Sequence, residues 1–206
     1  MQSLWNKVYV WTKKWSNSRY SLLVLFLFLF IDASLFPLPT TVIFITISLI
    51  QPSRSYYNAL AATLAMFLGA VAGYTVGFQL WLMPDGSFTP FAQYLFHHIP
   101  NFTEVNYLHA QSLYLKWRYS ILFFSIILPI PYHVFSITAG AFNFDLLGFA
   151  LATLVFQGFR FLLLAWLIIR YGEGVKTIFR ENIKLIVLGS AIILLILILA
   201  TKLGYL

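Results

Sequence analysis

Five residues of this chain could do chemistry in an otherwise apolar setting: Asp32, Arg160, His133 and the hydroxyl pair Thr40 and Thr41. Each lies within or beside a long apolar run. Arg160 sits ten residues before Arg170, near mid-depth if its run crosses a bilayer. A charge there costs about 2.5–3.5 kcal/mol on insertion scales, so it needs a partner or a ligand. Its planar fork matches phosphate oxygens. An ion pair with Asp32, the only acid of the first apolar run, is an equal alternative, and the two roles can alternate. Asp32 is also a candidate protonatable group. His133 is a candidate proton relay, because imidazoles change charge near neutral pH. The plainer reading makes it a hydrogen-bonded residue at a helix start.

These residues cluster at two interruptions. Leu22 to Ile50 is 29 residues, apolar but for Asp32 and the break Pro37-Leu38-Pro39. Tyr119 to Phe142 is 24 residues, with Pro129, Pro131, Tyr132 and His133 near its middle. Proline removes a backbone donor and pushes the preceding residue out of the α region. Broken backbone at membrane depth persists only where protein or a watery cavity covers it. One full span needs about 20 residues and two need about 40, so each run is a kinked span or a re-entrant hairpin. A half-helix starting at a break aims unpaired N–H groups and its dipole inward, which suits an anion. Pro39 fits the first turn of such a helix, with Thr40 and Thr41 beside it. The structural alternative is a pair of kinks, with both threonines bonded back to their helix.

The rest of the chain must hold the breaks in place. Residues 1–20 are basic and tryptophan-rich, as in an interfacial anchor. Asn58 to Met83 is a span carrying Gly69, Gly73 and Gly77, a spacing that lets another helix approach closely, with Tyr74 beside it. Residues 84–118 form a polar connection. There Asn101 and Glu104 make a capping box for an interfacial helix whose apolar residues include Val105, Leu108 and Leu115. Leu146 to Ile169 is a span containing Gly158, and Gly140 lies just before it. Residues 185–202 are a last, plain span. The expected organisation is one membrane domain: a first repeat over 22–83, a second over 119–170, and an all-α fold of two re-entrant hairpins in an inverted repeat plus about three transmembrane helices.

The composition fits this. The chain is 61% hydrophobic and 9% charged, against about 25% charged in soluble domains. There are no cysteines, which excludes disulfides and thiolate chemistry. The net charge of +7 marks cytoplasmic loops rather than nucleic-acid binding. With the N-terminus inside and both runs re-entrant, nine basic residues lie inside: Lys7, Lys13, Lys14, Arg19, Arg54, Arg170, Lys176, Arg180 and Lys184. Two full spans satisfy the positive-inside rule equally, so charge leaves the hairpins open. His97, His98 and His109 lack acids at metal-ligand spacing, and neither metal nor cofactor is expected. No nucleophile–base pair or catalytic carboxylate pair is present, so the chain does not read as an enzyme.

Taken together, Asp32-x4-Pro37-Leu38-Pro39, Gly69-x3-Gly73-Tyr74-x2-Gly77, Pro129-Ile130-Pro131-Tyr132-x-Val134-Phe135-x4-Gly140 and Gly158-x-Arg160-Phe161 resemble the DedA/VTT family. These proteins are also called SNARE-associated Golgi protein homologues, and the likeness is to the YqaA-like branch. It runs from about residue 20 to 172. The resemblance implies re-entrant hairpins meeting inside a bacterial inner membrane and the movement of a phospholipid or polyprenyl-phosphate lipid. It also implies, for some members, coupling to protons. The sequence departs from the family at Thr41, where members usually carry an acid, and at Ile126 and Tyr132, where many carry arginine. The expected function is lipid translocation or scrambling through Asp32, Pro37, Pro39, Thr40, Thr41, Pro129, Pro131, Tyr132, His133 and Arg160. Gly69, Gly73, Tyr74, Gly77, Gly140 and Gly158 serve helix packing. Alternatives are a proton- or ion-coupled small-solute transporter and a non-transporting scaffold of envelope assembly. Homo-oligomerisation stays open.

Overall fold

A computed structural model describes residues 20–99, 103–117, 119–125, 131–172 and 174. Residues 1–19 of the expected anchor, Asn101, Pro129 and the span expected over 185–202 lie outside them. All regular elements among the described residues are helical, apart from one isolated bridge between Leu82 and Phe88. The α-helices are α1 (Ser21–Ser34), α2 (Thr40–Ile50), α3 (Ser55–Trp81), α4 (Pro90–His98), α5 (Glu104–Trp117), α6 (Ser120–Phe124), α7 (Tyr132–Ala141) and α8 (Leu146–Tyr171).

The axis is α3, which at 1.5 Å per residue is about 40 Å long. Its glycines are where other backbones touch it. A Cβ on Gly69 would fall into the Phe30 carbonyl of α1. One on Gly73 would lie 2.5 Å from Ser136 Oγ and 2.9 Å from the Ser34 carbonyl oxygen. One on Gly77 would overlap the Ile137 carbonyl of α7, and one on Gly140 of α7 the Tyr74 carbonyl of α3. Gly158 differs: its nearest neighbour would be Thr63 Cγ2 at an ordinary 3.4 Å. A Cβ would thus run into facing backbone at the first four glycines, and at Gly158 would meet only a side chain at ordinary contact.

Contacts along α3 trace the path of the chain. Phe30 meets Gly69 and Ser34 meets Gly73, so α1 runs parallel to α3. Ser48, near the end of α2, accepts from the Ser55 hydroxyl at 3.3 Å and from Asn58 Nδ2 at 3.2 Å, at the start of α3. Between Ser34 and Ser48 the chain therefore turns back along α3 by about 22 Å. The second run does the same against α8. Tyr119 donates to Asp145 Oδ2 at 3.3 Å beside the start of α8. Ser125 lies one arm deeper, where it accepts from Gln157 Nε2 at 3.2 Å. The chain is back at Thr153 by Tyr132, with 2.8 Å between hydroxyls. Its return ends at Phe144, whose carbonyl accepts from Tyr74 at 2.5 Å.

Helices α3 and α8 are antiparallel, for Phe149 stacks near Tyr74 at 5.9 Å while Gly158 faces Thr63. The two folded-back arms thus approach from opposite ends. They touch where Ser136 of α7 donates to the Ala33 carbonyl of α1 at 2.5 Å.

The core is largely apolar, with Leu25, Leu29, Phe44, Phe149 and Phe161 inside it. Ser48, Ser136, Thr153 and Gln157 are fully buried, while Leu60, Leu64, Leu147, Leu151, Val155 and Phe159 are exposed. Two helical stretches, Pro52–Trp81 and Leu146–Tyr171, are long and apolar enough to cross a membrane.

The polar connection departs from expectation in two ways. It contains the additional helix α4, started by Thr89 accepting from the Ala92 N–H at 3.2 Å with Pro90 in the first turn. The cap of α5 is Thr103, which accepts from the Asn106 N–H at 3.3 Å. Glu104 is then the first helical residue, not the third of a box begun at Asn101. The buried side of α5 is carried by Tyr107 and Tyr114, while Val105, Leu108 and Leu115 face outward. Tyrosine bodies fill the core and their hydroxyls reach acceptors beyond it.

Candidate functional site

The first break is closed by its own acid. Helix α1 ends with the Leu35 N–H and Phe36 N–H both donating to the Ile31 carbonyl. Pro37 cannot continue the helix, and the Thr40 N–H donates to the Leu38 carbonyl at 2.8 Å in a tight turn centred on Pro39. Pro39 is the residue before α2 rather than its first helical residue. Asp32, buried on the last turn of α1, accepts from the Leu38 N–H at 3.0 Å through Oδ1 and from the Thr40 hydroxyl at 2.8 Å through Oδ2. The carboxylate bridges both sides of the break, which fixes the angle between α1 and α2.

Thr41, the neighbour of Thr40, accepts from Arg160 Nη2 at 2.7 Å. Among the described residues, Asp32 and Arg160 form no direct ion pair. The chain instead runs from Asp32 to Thr40 and, through one peptide bond, from Thr41 to Arg160. In place of the ion pair weighed as one alternative stand two adjacent hydroxyls, each held by one of the charges. The guanidinium rests over the Phe161 ring, 5.7 Å from its centroid. Phe161 in turn packs on Phe44 of α2 at 5.0 Å. Arg160 also lies within electrostatic reach of both Asp32 and Tyr132. Guanidinium carries five N–H donors, of which one is bonded, to Thr41, among the described residues.

The second break has no such acid. Pro131 precedes α7, and no side chain caps that helix. The Tyr132 hydroxyl turns to Thr153 rather than to the break. His133 is half-buried, and its Nδ1 is enclosed without a hydrogen-bond partner. Gln157, Thr153 and Ser125 complete a polar cluster here that sequence reasoning missed. Thr153, Gln157 and Arg160 fall at i, i+4 and i+7, one face of α8, and that spacing was the available signal.

The outer end of the second arm is held by tyrosines. Tyr107 donates to the Ala141 carbonyl, Gln111 Nε2 to the Phe142 carbonyl at 2.9 Å and Tyr114 to the Phe135 carbonyl at 3.4 Å. The first two satisfy carbonyls that the end of α7 leaves without helical partners, while the Phe135 carbonyl lies inside the helix. Burial pushes the Tyr107 phenol up to about 12, so it remains a neutral donor at physiological pH.

Sequence comparison finds relatives along nearly the whole chain. A Haemophilus influenzae protein is 27% identical over 188 residues, 89% of this chain and 90% of the relative. A Histophilus somni protein is 26% identical over 204 residues, 97% of this chain and 99% of the relative. Both bear the printed name "Uncharacterized protein", the second as a homolog. No family model matches the chain, and no solved structure does.

Proposed function

We propose that the protein is an integral membrane lipid translocator of the DedA/VTT type, with a headgroup site between the two breaks. The carrying observation is Arg160, a cation on an apolar helix held at the first break by one hydrogen bond to Thr41. In this reading α3 and α8 span the bilayer and both folded-back arms are re-entrant from opposite faces. The exposed leucines and phenylalanines face acyl chains. The buried hydroxyls and amides line a path on which a headgroup exchanges water for protein hydrogen bonds. Arg160 meets the phosphate in a setting where a charge-assisted, two-pronged contact is strong. The tails stay in lipid, so only the headgroup needs a polar route.

Asp32 is best read here as a structural acceptor, since both its oxygens are engaged within the break. A gradient-coupled transporter would need that carboxylate to exchange partners during the cycle. Reconstitution into vesicles with acyl-labelled fluorescent phospholipid tests the proposal. Movement well above empty vesicles is expected, reduced at least about tenfold by Arg160→Ala, the size of loss that removing one strong charge contact brings. No movement above empty vesicles for any of several headgroups would refute it. Movement that appears only under an imposed ion gradient would favour the coupled transporter.

A further inference from the structure

The polar cluster at the second break has every hydroxyl proton committed outward. Ser125 donates to the Leu122 carbonyl at 2.6 Å and Thr153 to the Phe149 carbonyl at 2.8 Å. Thr153 has one proton, so Tyr132 must be the donor in the 2.8 Å contact between their hydroxyls. Gln157 is fully buried, and its Nε2 donates to Ser125. Its carboxamide lies beside the Tyr132 hydroxyl. Gln157 Oε1 has no partner. What the cluster presents inward is therefore a lone pair without a donor, on Gln157 Oε1, close to the Tyr132 oxygen. A buried acceptor without a donor is costly, so it calls for a group that donates and does not accept.

The molecule carries one such group close by. Arg160 lies three residues after Gln157 on α8, so their side chains leave the same helix face about 5–6 Å apart. Its guanidinium donates through Nη2 to Thr41. The side chain is half-buried, and Thr41 is the one hydrogen-bond acceptor it has among the described residues, so its other N–H groups are free to engage a second acceptor. Arg160 is a long, flexible side chain able to pivot about its own Cα without moving α8.

We infer that Arg160 has two seats. In the first, seen here, it binds Thr41 of the first break. In the second it binds Gln157 Oε1 and the Tyr132 oxygen of the second break. The switch carries one positive charge from one folded-back arm to the other and frees the Thr41 hydroxyl. Gln157 is thereby a positioning residue of the site, acting through Arg160. In the lipid-translocator reading, on which the consequence for transport rests, a phosphate bound to the guanidinium is handed between the arms by this pivot.

The test is nitrogen NMR of the full-length protein in nanodiscs with labelled arginine, the Arg160 signals being assigned by their loss in Arg160→Lys. Two guanidinium environments are expected in the parent protein. Gln157→Leu, which keeps the volume and removes the acceptor, should leave only the Thr41 environment. Thr41→Val should leave only the other. Gln157→Glu, which pairs a carboxylate with the second seat, should empty the first and slow lipid movement at least tenfold. An Arg160 signal indifferent to both Gln157 substitutions in folded protein overturns the inference. The spectroscopic readout does not depend on transport. If the parent protein moves no lipid while its two environments respond as stated, the translocator reading fails and the two seats stand.

Discussion

At the first break Asp32 holds the Leu38 N–H and the Thr40 hydroxyl, and so ties the end of α1 to the start of α2. At the second, no side chain caps α7, and Tyr132 turns away to Thr153. The two motifs look alike in sequence, proline-x-proline within an apolar run, yet they differ in what closes them. The first has a negative group that takes its free donors. The second keeps one neutral oxygen, Gln157 Oε1, without a donor among the described residues. A cation between them, Arg160, therefore faces an occupied arm and one with an acceptor to fill. In the proposed translocator, this difference between two similar arms would give the site a direction that two identical arms would lack.

The glycine crossings are where this comparison is most easily broken. Gly77→Ala and Gly140→Ala each force a methyl into a backbone carbonyl of the facing helix. Neither carbonyl belongs to a flexible side chain, so α3 and α7 must separate. Each should cost about 3 kcal/mol or more, measured as loss of monodisperse protein in detergent or a fall in melting temperature. The same substitution at Gly69 separates α3 from α1 and should behave alike. If Gly140→Ala is tolerated, the close approach of α7 to α3 is wrong.

Asp32→Ala comes next. It strands the Leu38 N–H and the Thr40 hydroxyl together, at about 1–3 kcal/mol for each group. Asp32→Asn keeps one acceptor and should lose less than half as much. Equal losses in the two variants would contradict a carboxylate that serves two donors. At the second arm, Tyr107→Phe removes the donor to the Ala141 carbonyl and should cost about 1 kcal/mol. Thermal denaturation in detergent resolves both.

Gly158→Ala should have the smallest effect and the opposite sign. A methyl there meets only Thr63 at ordinary contact distance. Alanine favours helix over glycine by about 0.8–1.0 kcal/mol, so the melting temperature should hold or rise. A fall of several degrees would restore Gly158 to the tightly packed set.

Much of this was legible because the signals are local. Proline's missing donor marks a break wherever it stands, so Pro37, Pro39 and Pro131 could be placed from sequence. The four-residue spacing of Gly69, Gly73 and Gly77 likewise announced a face where backbones meet. What stayed hidden depends on the chain returning. Asp32 reads as an isolated acid until the break brings Leu38 and Thr40 back to it. The way Asp32 and Arg160 each engage one of two adjacent threonine hydroxyls, rather than each other, was hidden for the same reason. Gln157 was overlooked because a neutral amide barely disturbs an apolar run, although its spacing to Thr153 and Arg160 was visible. Helix α4 was missed because apolar periodicity is short there, while its Thr89–Pro90 start was readable. The burial of Tyr107 and Tyr114 could not be read from α5 alone, because their acceptors lie in α7 and just after it.

Cysteine accessibility tests the central claim most directly, since the parent chain has no cysteine. Single cysteines at Ser16, Ser53, Ser87 and Ser112 would be labelled with an impermeant reagent in sealed vesicles of known orientation. Two re-entrant arms from opposite faces predict that Ser16 and Ser53 label from one face and Ser87 and Ser112 from the other. Labelling of Ser16 and Ser53 from opposite faces would make the first run a full span and contradict the account.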